Sequence, residues 1–306
     1  MNVLTLIAAF GGGVIGAYLG AVPAFIMTGV FALVGGLITA AGVSGDLGVN
    51  ILAFGSFVGP HIAFAGGVAA AAYAGRKGKL ENGANVSCPL FGLGAPDVLI
   101  VGGIFGVFGF LIHYIISTLP VIGAGGAAAT DLPGITVCIL GIISRLVFGK
   151  TGLTGNYTGK EPREWVSHGN ACSCNVVLGA SIGIVVSFIA AFLKESGMDA
   201  AFAIFPIICF GFAATTLVFA EAGFATPGTH HIFLPAGLAA CVGVTAWGPT
   251  GALLGVLFGI IGSVMGDFVT KTFNSYCDTH VDPPATTIFT LTIIINAIGS
   301  ALAKTV

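Results

Sequence analysis

Long apolar runs constrain the fold of this sequence more than any other feature. Residues 3–43 form an almost uninterrupted apolar stretch, and further runs of helix length recur along the chain. A helix needs about 20 apolar residues, rising 1.5 Å each, to cross the hydrocarbon core of a bilayer. Only 7% of the residues are charged, whereas soluble domains carry about 25%. The chain is therefore predicted to be an integral membrane protein.

The type of membrane-spanning segment follows from the pattern within these runs. They do not alternate between apolar and polar residues, as the strands of an outer-membrane barrel do. The 49 glycines in 306 residues suit helices that approach one another closely through small side chains. We therefore expect an all-α polytopic protein. The net charge of −2 does not indicate nucleic-acid binding, and seven irregularly spaced cysteines do not suggest a disulfide framework.

The apolar runs predict about ten spans, five in each half of the chain. The first repeat is residues 1–150, a polar linker covers 151–175, and the second repeat is 176–306. The predicted spans are two helices within 3–43, then 50–75, 96–119, 133–149, 176–193, 200–222, 231–246, 249–270 and 284–303.

The two halves share short motifs in the same order. Pro96–Gly109 aligns with Pro249–Gly262 without a gap, and Asp131–Gly134 matches Asp282–Ala285. Other pairs are Pro23 with Pro206, Gly29 with Gly211, and His61 with His231. This order predicts an internal duplication. Because five spans is an odd number, the second repeat would be inverted, with a solute site between broken helices near the membrane midplane. Aligning the prolines leaves a short first helix, so nine spans and a re-entrant first segment are the alternative.

Two polar interruptions mark the predicted solute site. One is Gly223–Gly237, and a weaker copy is Phe57–Gly67. At membrane depth, irregular backbone is tolerated only where it is buried in protein or lines a cavity. The predicted substrate-binding residues are Pro60, His61, Glu221, Thr229, His230 and His231.

Ionisable residues at membrane depth are candidates for ion or proton coupling because burying them is costly. The candidates are Glu221, His113 and Asp267, of which the last two fall one alignment position apart on the fourth and ninth spans. Asp97, Asp131 and Asp282 lie at helix starts, where capping alone accounts for an aspartate. Helix starts turned inward would also offer amides to an anionic solute. The sequence leaves the cation and anion alternatives open.

A further group of residues could form a metal site on one side of the membrane. Its candidate ligands are Cys88, His168, Cys172, Cys174, Cys277 and His280. Thiolates and imidazoles bind zinc, although Cys-x-Cys spacing matches no standard structural zinc pattern. The alternative is that these are ordinary thiols in a reducing compartment.

Basic residues predict the orientation. Most follow spans three, five and nine, and these positions would share one side: Arg76, Lys77, Lys79, Arg145, Lys150, Lys160, Arg163 and Lys271. The positive-inside rule makes that side cytoplasmic. We therefore expect a multi-pass protein of the plasma (inner) membrane, with a cytoplasmic central loop and the C-terminus outside.

The leading functional hypothesis is a secondary transporter or channel that moves a small solute, with ion or proton coupling. We expect no enzymatic activity and no cofactor. The alternatives are a membrane-embedded metal-binding protein or enzyme, and a membrane subunit of a larger complex. The expected partners are the lipid bilayer, a small-molecule or ion solute and further copies of the chain.

Overall fold

The computed structural model describes residues 2–119 and 129–303, and the regular elements within these ranges are helices. The helices are α1 (Val3–Leu19), α2 (Ala21–Ala40), α3 (Ala65–Arg76), α4 (Pro96–Thr118), α5 (Leu132–Phe148), α6 (Gly169–Glu195), α7 (Asp199–Thr215), α8 (Leu217–Glu221), α9 (His230–Trp247), α10 (Leu254–Phe273) and α11 (Pro283–Leu302). Short π-helical turns cover Leu47–Ala53 and Pro60–Phe64, and short 3₁₀ turns cover Leu90–Leu93 and Pro249–Leu253.

Seven segments within the described ranges are long and apolar enough to cross a membrane. They are α2, α4, α6, α9 and α11, together with α7 joined to α8, and α10 joined to its preceding 3₁₀ turn. Two shorter apolar helices, α1 and α5, have 17 residues each. The prediction of an all-α, multi-pass membrane protein is confirmed at this level.

Both predicted interruptions are present. In the first half, irregular residues 54–59 separate the π-helical turn Leu47–Ala53 from Pro60–Phe64, which leads into α3. Pro60 suits the first position of a helical segment because it has no N–H to leave unsatisfied. In the second half, irregular residues 222–229 separate α8 from α9. Helix α9 already begins at His230, so Pro235 lies inside it.

The predicted linker is shorter than expected. It was predicted to run to residue 175, but α6 begins at Gly169. Gly169 has a positive φ of 58°, which allows the chain to turn sharply there, and the small residues that follow fit a helix. Cys172 and Cys174 consequently lie in the first two turns of α6 rather than in a loop.

The same pairs of helices pack together in both halves. In the first half, α4 packs against α1, α3 and α5. In the second half, α10 packs in the same way against α6, α9 and α11. Helix α2 contacts α7, and α5 contacts α11, so these two pairs join the halves.

Matched glycines show how closely these helices approach. A Cβ added at Gly109 on α4 would collide with the backbone carbonyl of His61. At the aligned position on α10, a Cβ on Gly262 would lie 2.7 Å from the backbone carbonyl of His231. Gly102 and Gly255 likewise face the carbonyls of Gly66 and Ala236. Backbone contact through small residues is typical of membrane helix pairs.

Helices α2 and α7 run antiparallel. Gly29 of α2 lies against Ala214, whereas Gly36, two turns later on α2, lies against Ile208 of α7. Residue numbers therefore rise along one helix as they fall along the other. Helix α5 meets α11 in the same antiparallel sense, since Thr130 bonds Phe289 and Gly134 lies against Ala285.

Two arginines bond to the connecting segments at the end of the molecule where α5 and α10 terminate. Buried Arg145 donates to the hydroxyl and carbonyl of Thr279, and to the carbonyls of Leu153 and Phe273. Arg163 donates to the carbonyl of Thr154 and to those of Lys271 and Thr272. The bonds to Lys271, Thr272 and Phe273 satisfy carbonyls that the C-terminus of α10 leaves without partners.

Candidate functional site

A cavity of about 490 Å³ lies between the two halves. Pro60 and Phe64 line it from the first interruption, and Gly228, His230 and His231 line it from the second. The first turns of α5 and α11 also contribute to its wall, as do residues of α2, α6, α7 and α10. The volume is in the range of small-molecule sites, about 300–1,000 Å³.

The second interruption supplies two imidazoles. His230 and His231 begin α9, whose first turn is held by bonds from the N–H groups of Ile232 and Phe233 to the carbonyl of Thr229. The ring of His230 lies 4.7 Å from that of Phe25. The Nδ1 atoms of His230 and His231 are buried and have no hydrogen-bond partner within the described residues.

An aspartate caps the start of α5 and another caps the start of α11, two of the helices that begin at the cavity. The Asp131 carboxylate accepts a hydrogen bond from the Gly134 N–H at 2.6 Å. The Asp282 carboxylate accepts one from the Ala285 N–H at 2.7 Å. The predicted caps are therefore present. Both aspartates also line the cavity, so their carboxylates form part of its wall.

A hydrogen-bonded relay connects α10 to α11 along the cavity wall. The side-chain carbonyl of Asn274 accepts from the Val281 N–H at 3.0 Å, which fixes the orientation of its amide. The amide nitrogen of Asn274 must then donate to Nδ1 of His280 at 3.1 Å. Nε2 of His280 consequently carries a proton and donates it to Asp282, also at 3.1 Å. Neutral imidazole has one donor and one acceptor nitrogen, so the relay fixes the His280 tautomer.

Aromatic rings form a continuous chain along the cavity. Ring centroids of Phe54 and Phe210 lie 5.4 Å apart, those of Phe210 and Phe25 5.6 Å, and those of Phe25 and Phe64 5.7 Å. Phe64 continues the chain to His280 at 6.0 Å. All of these residues line the cavity. Separations of 4.5–7 Å are typical of favourable aromatic pairs.

The chain matches the profile of a sequence family. Its profile matches twice, over residues 1–161 and again over 160–303, under the description "Family of unknown function (DUF7973)". The chain belongs to the DUF7973 family. No curated protein and no solved structure matches it significantly.

In this member of DUF7973, the predicted substrate-binding residues divide into two groups. Pro60, His230 and His231 line the cavity, whereas His61, Thr229 and Glu221 do not. Glu221 ends α8 with an exposed side chain. It therefore does not share the cavity with His230, although both were predicted to bind the substrate, because α8 ends before the chain turns inward.

The two predicted coupling residues other than Glu221 have separate environments. His113 stacks on the buried ring of His61, with centroids 4.3 Å apart, and neither lines the cavity. Asp267 does line the cavity, but its two oxygens accept from the N–H and hydroxyl of Ser167 at 2.7 and 2.8 Å. Asp267 thus anchors the residues that precede α6.

The six predicted metal ligands do not assemble into one site. Within residues 2–119 and 129–303, no group of three or more His, Cys, Asp or Glu side chains is placed to hold a metal ion. Cys172 and Cys174 lie on α6, and His280 bonds Asn274 and Asp282 instead of a thiol partner. Their predicted location on one side of the membrane did not bring these side chains together, because they belong to three separate segments: the α3–α4 connection, the start of α6 and the α10–α11 connection.

Sequence reasoning missed Asn274 and assigned His280 to the metal cluster. A signal was available in the motif His280-Val-Asp282-Pro-Pro, because a histidine two residues before a capped helix start can reach the capping carboxylate. Asp131 and Asp282 were noted only as caps, with an inward-facing helix start as the alternative. The structure shows that both starts face the cavity.

Proposed function

We propose that this protein is a membrane transport protein that moves a small solute through the cavity between two inverted repeats. The observation that supports this most strongly is the composition of the cavity wall. Both helix interruptions and both capped helix starts meet there, one of each from either half. Discontinuous helices that meet at a repeat interface are the usual way in which secondary transporters build a midplane site.

Three independent observations support the inverted repeat. The family profile matches each half separately. Equivalent helices make equivalent contacts, down to the glycines that face His61 and His231. The equivalent helices α2 and α7 pack antiparallel, which is the relation that a two-fold axis in the membrane plane requires.

We propose ten membrane segments: the seven long ones, α1, α5, and α3 together with the π-helical turns before it; the two interruptions directly precede α3 and α9. Helices α1 and α5 have 17 residues each and reach about 26 Å, which is slightly less than a typical hydrocarbon core of about 30 Å. A small mismatch of this kind is accommodated by local thinning of the bilayer. The basic residues around Arg145 and Arg163 would then face the cytoplasm of a plasma (inner) membrane, by the positive-inside rule.

The cavity also has the chemistry of a site that solutes enter and leave. Most of its wall is apolar, and a few polar groups converge on it from the helix ends. Two buried imidazole nitrogens there have no protein partner among the described residues. A buried polar atom without a partner costs about 1–3 kcal/mol, so a solute or a water that bonded these atoms would lower that cost.

Tracer uptake into proteoliposomes tests the proposal. Methylammonium, sodium, acetate and urea would be offered separately, so that each class of solute charge is represented. We expect saturable uptake of one class, and we expect His231→Ala to abolish it while the protein stays folded and inserted. His168→Ala is the matched control, because His168 is exposed and lies outside the cavity.

Two results would refute this function. One is uptake of all four solutes that equals uptake by protein-free liposomes. The other is full uptake by the His231→Ala variant, which would remove the second interruption from the transport path.

A further inference from the structure

We propose that the solute is a small cation of the ammonium type, and that Asp131 is its counter-ion. This inference rests on the proposed transport function and names its substrate class. It resolves the choice between a cation and an anion that the sequence leaves open.

The first step is an account of the amides at the two inward helix starts. Pro283 and Pro284 have no N–H, and the N–H of Ala285 is bonded to Asp282. In α5, Pro133 has no N–H and the N–H of Gly134 is bonded to Asp131. Anion binding at a helix N-terminus depends on free N–H groups. Prolines and aspartates have removed nearly all of them at these two starts, whereas α9, which also begins at the cavity wall, has neither a first-turn proline nor a side-chain cap.

The second step concerns charge. No lysine or arginine is among the described residues that line the cavity, whereas Asp131, Asp267 and Asp282 all line it. A low-dielectric cavity with carboxylates and no fixed cation favours a positively charged solute.

The third step identifies the available carboxylate. Asp282 accepts from His280 on one oxygen and from Ala285 on the other. Both oxygens of Asp267 accept from Ser167. Asp131 accepts on Oδ1 alone, from Gly134, and among the described residues its Oδ2 has no donor. Asp131 therefore keeps an oxygen for the solute.

An independent observation also indicates a ligand at this cavity. His230 lines it with only 6% of its surface exposed, and its Nδ1 has no partner among the described residues. The aromatic chain passes beside this histidine. A neutral imidazole nitrogen with a free lone pair accepts a hydrogen bond from an ammonium N–H.

The aromatic rings select the type of cation. Ring faces attract ammonium groups through cation–π interactions, which are strongest when both partners are desolvated. Metal cations would need several oxygen, nitrogen or sulfur ligands at once. No such cluster of His, Cys, Asp and Glu exists within the described ranges.

Calorimetric titration of the purified full-length protein tests the proposal. The probes are methylammonium chloride, tetramethylammonium chloride, sodium chloride and sodium acetate at equal ionic strength. The decisive variant is Asp131→Asn, since asparagine caps a helix start as well as aspartate does and removes only the charge. Asp97→Asn is the matched control, because Asp97 also lies in a first helical turn and bonds Tyr73 and Lys79 outside the cavity.

We expect methylammonium or tetramethylammonium to bind, at least tenfold more weakly to Asp131→Asn and with unchanged affinity to Asp97→Asn. Tighter binding of sodium or acetate than of either ammonium probe would overturn the proposal, as would equal affinity in Asp131→Asn. If proteoliposomes take up acetate or urea while no ammonium probe binds, transport stands and the cation assignment fails. If methylammonium binds but no solute is taken up, the cation site stands and transport fails.

Discussion

The contact between Gly109 and the carbonyl of His61 illustrates how single residues set the geometry of this protein. His61 lies in the π-helical turn that ends the first interruption, and Gly109 lets α4 approach that turn at backbone distance. Gly262 does the same for His231 at the second interruption. A glycine on the neighbouring helix therefore allows close approach to each interruption.

Replacing Gly109 with alanine tests this positioning. The added Cβ would collide with the His61 carbonyl and lie 3.3 Å from Leu140. Overpacking of this kind costs about 1–3 kcal/mol, so we expect Gly109→Ala to lower the thermal denaturation midpoint of the detergent-purified protein. Gly11→Ala is the control, since a Cβ there meets nothing within 4 Å and alanine is the better helix former. Equal midpoints for the two variants would contradict the contact.

At the residue scale, the sequence indicated some of the residues that line the cavity but not which side chains contact one another. The two histidines of the second interruption and both aspartate caps were identified from residue type and neighbouring prolines. Glu221 was misplaced because spacing along the chain does not show where α8 ends. The pairing of His280 with Asp282 depends on how the residues after α10 fold back, and that path is set by bonds to Asn274 and Arg145.

Arg145 acts at the scale of elements, because it joins the end of α5 to the segment between α10 and α11. It is buried, and its guanidinium donates to Thr279, Leu153 and Phe273. That segment carries Asn274 and His280, which continue to Asp282 in the cavity wall. Arg145 therefore positions the relay without lining the cavity.

Substitution of Arg145 by lysine tests this role. Lysine cannot reproduce the fork of donors that a guanidinium presents, and at least two acceptors would lose their bonds. At about 1.5–3 kcal/mol for each bond to a charged group, we expect a loss of roughly 3 kcal/mol in the free energy of unfolding. Arg76→Lys is the control, since Arg76 is exposed at the end of α3. Chemical denaturation in detergent measures both, and equal stabilities would show that Arg145 does not hold the segment.

The elements themselves were largely predictable from apolar periodicity and helix-start signals. Helices α4 and α11 begin within a residue of their predicted starts, because Pro96, Pro283 and Pro284 mark a first turn. The start of α6 was predicted seven residues late. Its first turns carry polar and small residues, which hydropathy assigns to a loop although they are compatible with a helix.

At the scale of the whole molecule, two halves of one chain enclose a cavity that neither half could form alone. Helices α5 and α11 meet through Gly134 and Ala285, and α2 and α7 form the second helix pair that joins the halves. The duplication was visible in the sequence through a few aligned motifs. The cavity could not be predicted from the sequence, because its shape depends on the crossing of helices that are far apart in the chain.

Access to the cavity from the two sides of the membrane is the measurement that bears most directly on transport. A serine of α10, Ser263, lines the cavity, and Ser187 of α6 is equally buried outside it; each is 4% exposed. In a background without the seven free cysteines, Ser263→Cys and Ser187→Cys would each be exposed to a membrane-impermeant thiol reagent. Right-side-out and inside-out vesicles present opposite faces of the protein to that reagent.

We predict that Ser263→Cys is labelled in both kinds of vesicle, because a transporter opens its site to each side in turn, and that Ser187→Cys is labelled in neither. Labelling of Ser263→Cys from one side alone would show a binding pocket with a single entrance. That result would contradict transport through this cavity.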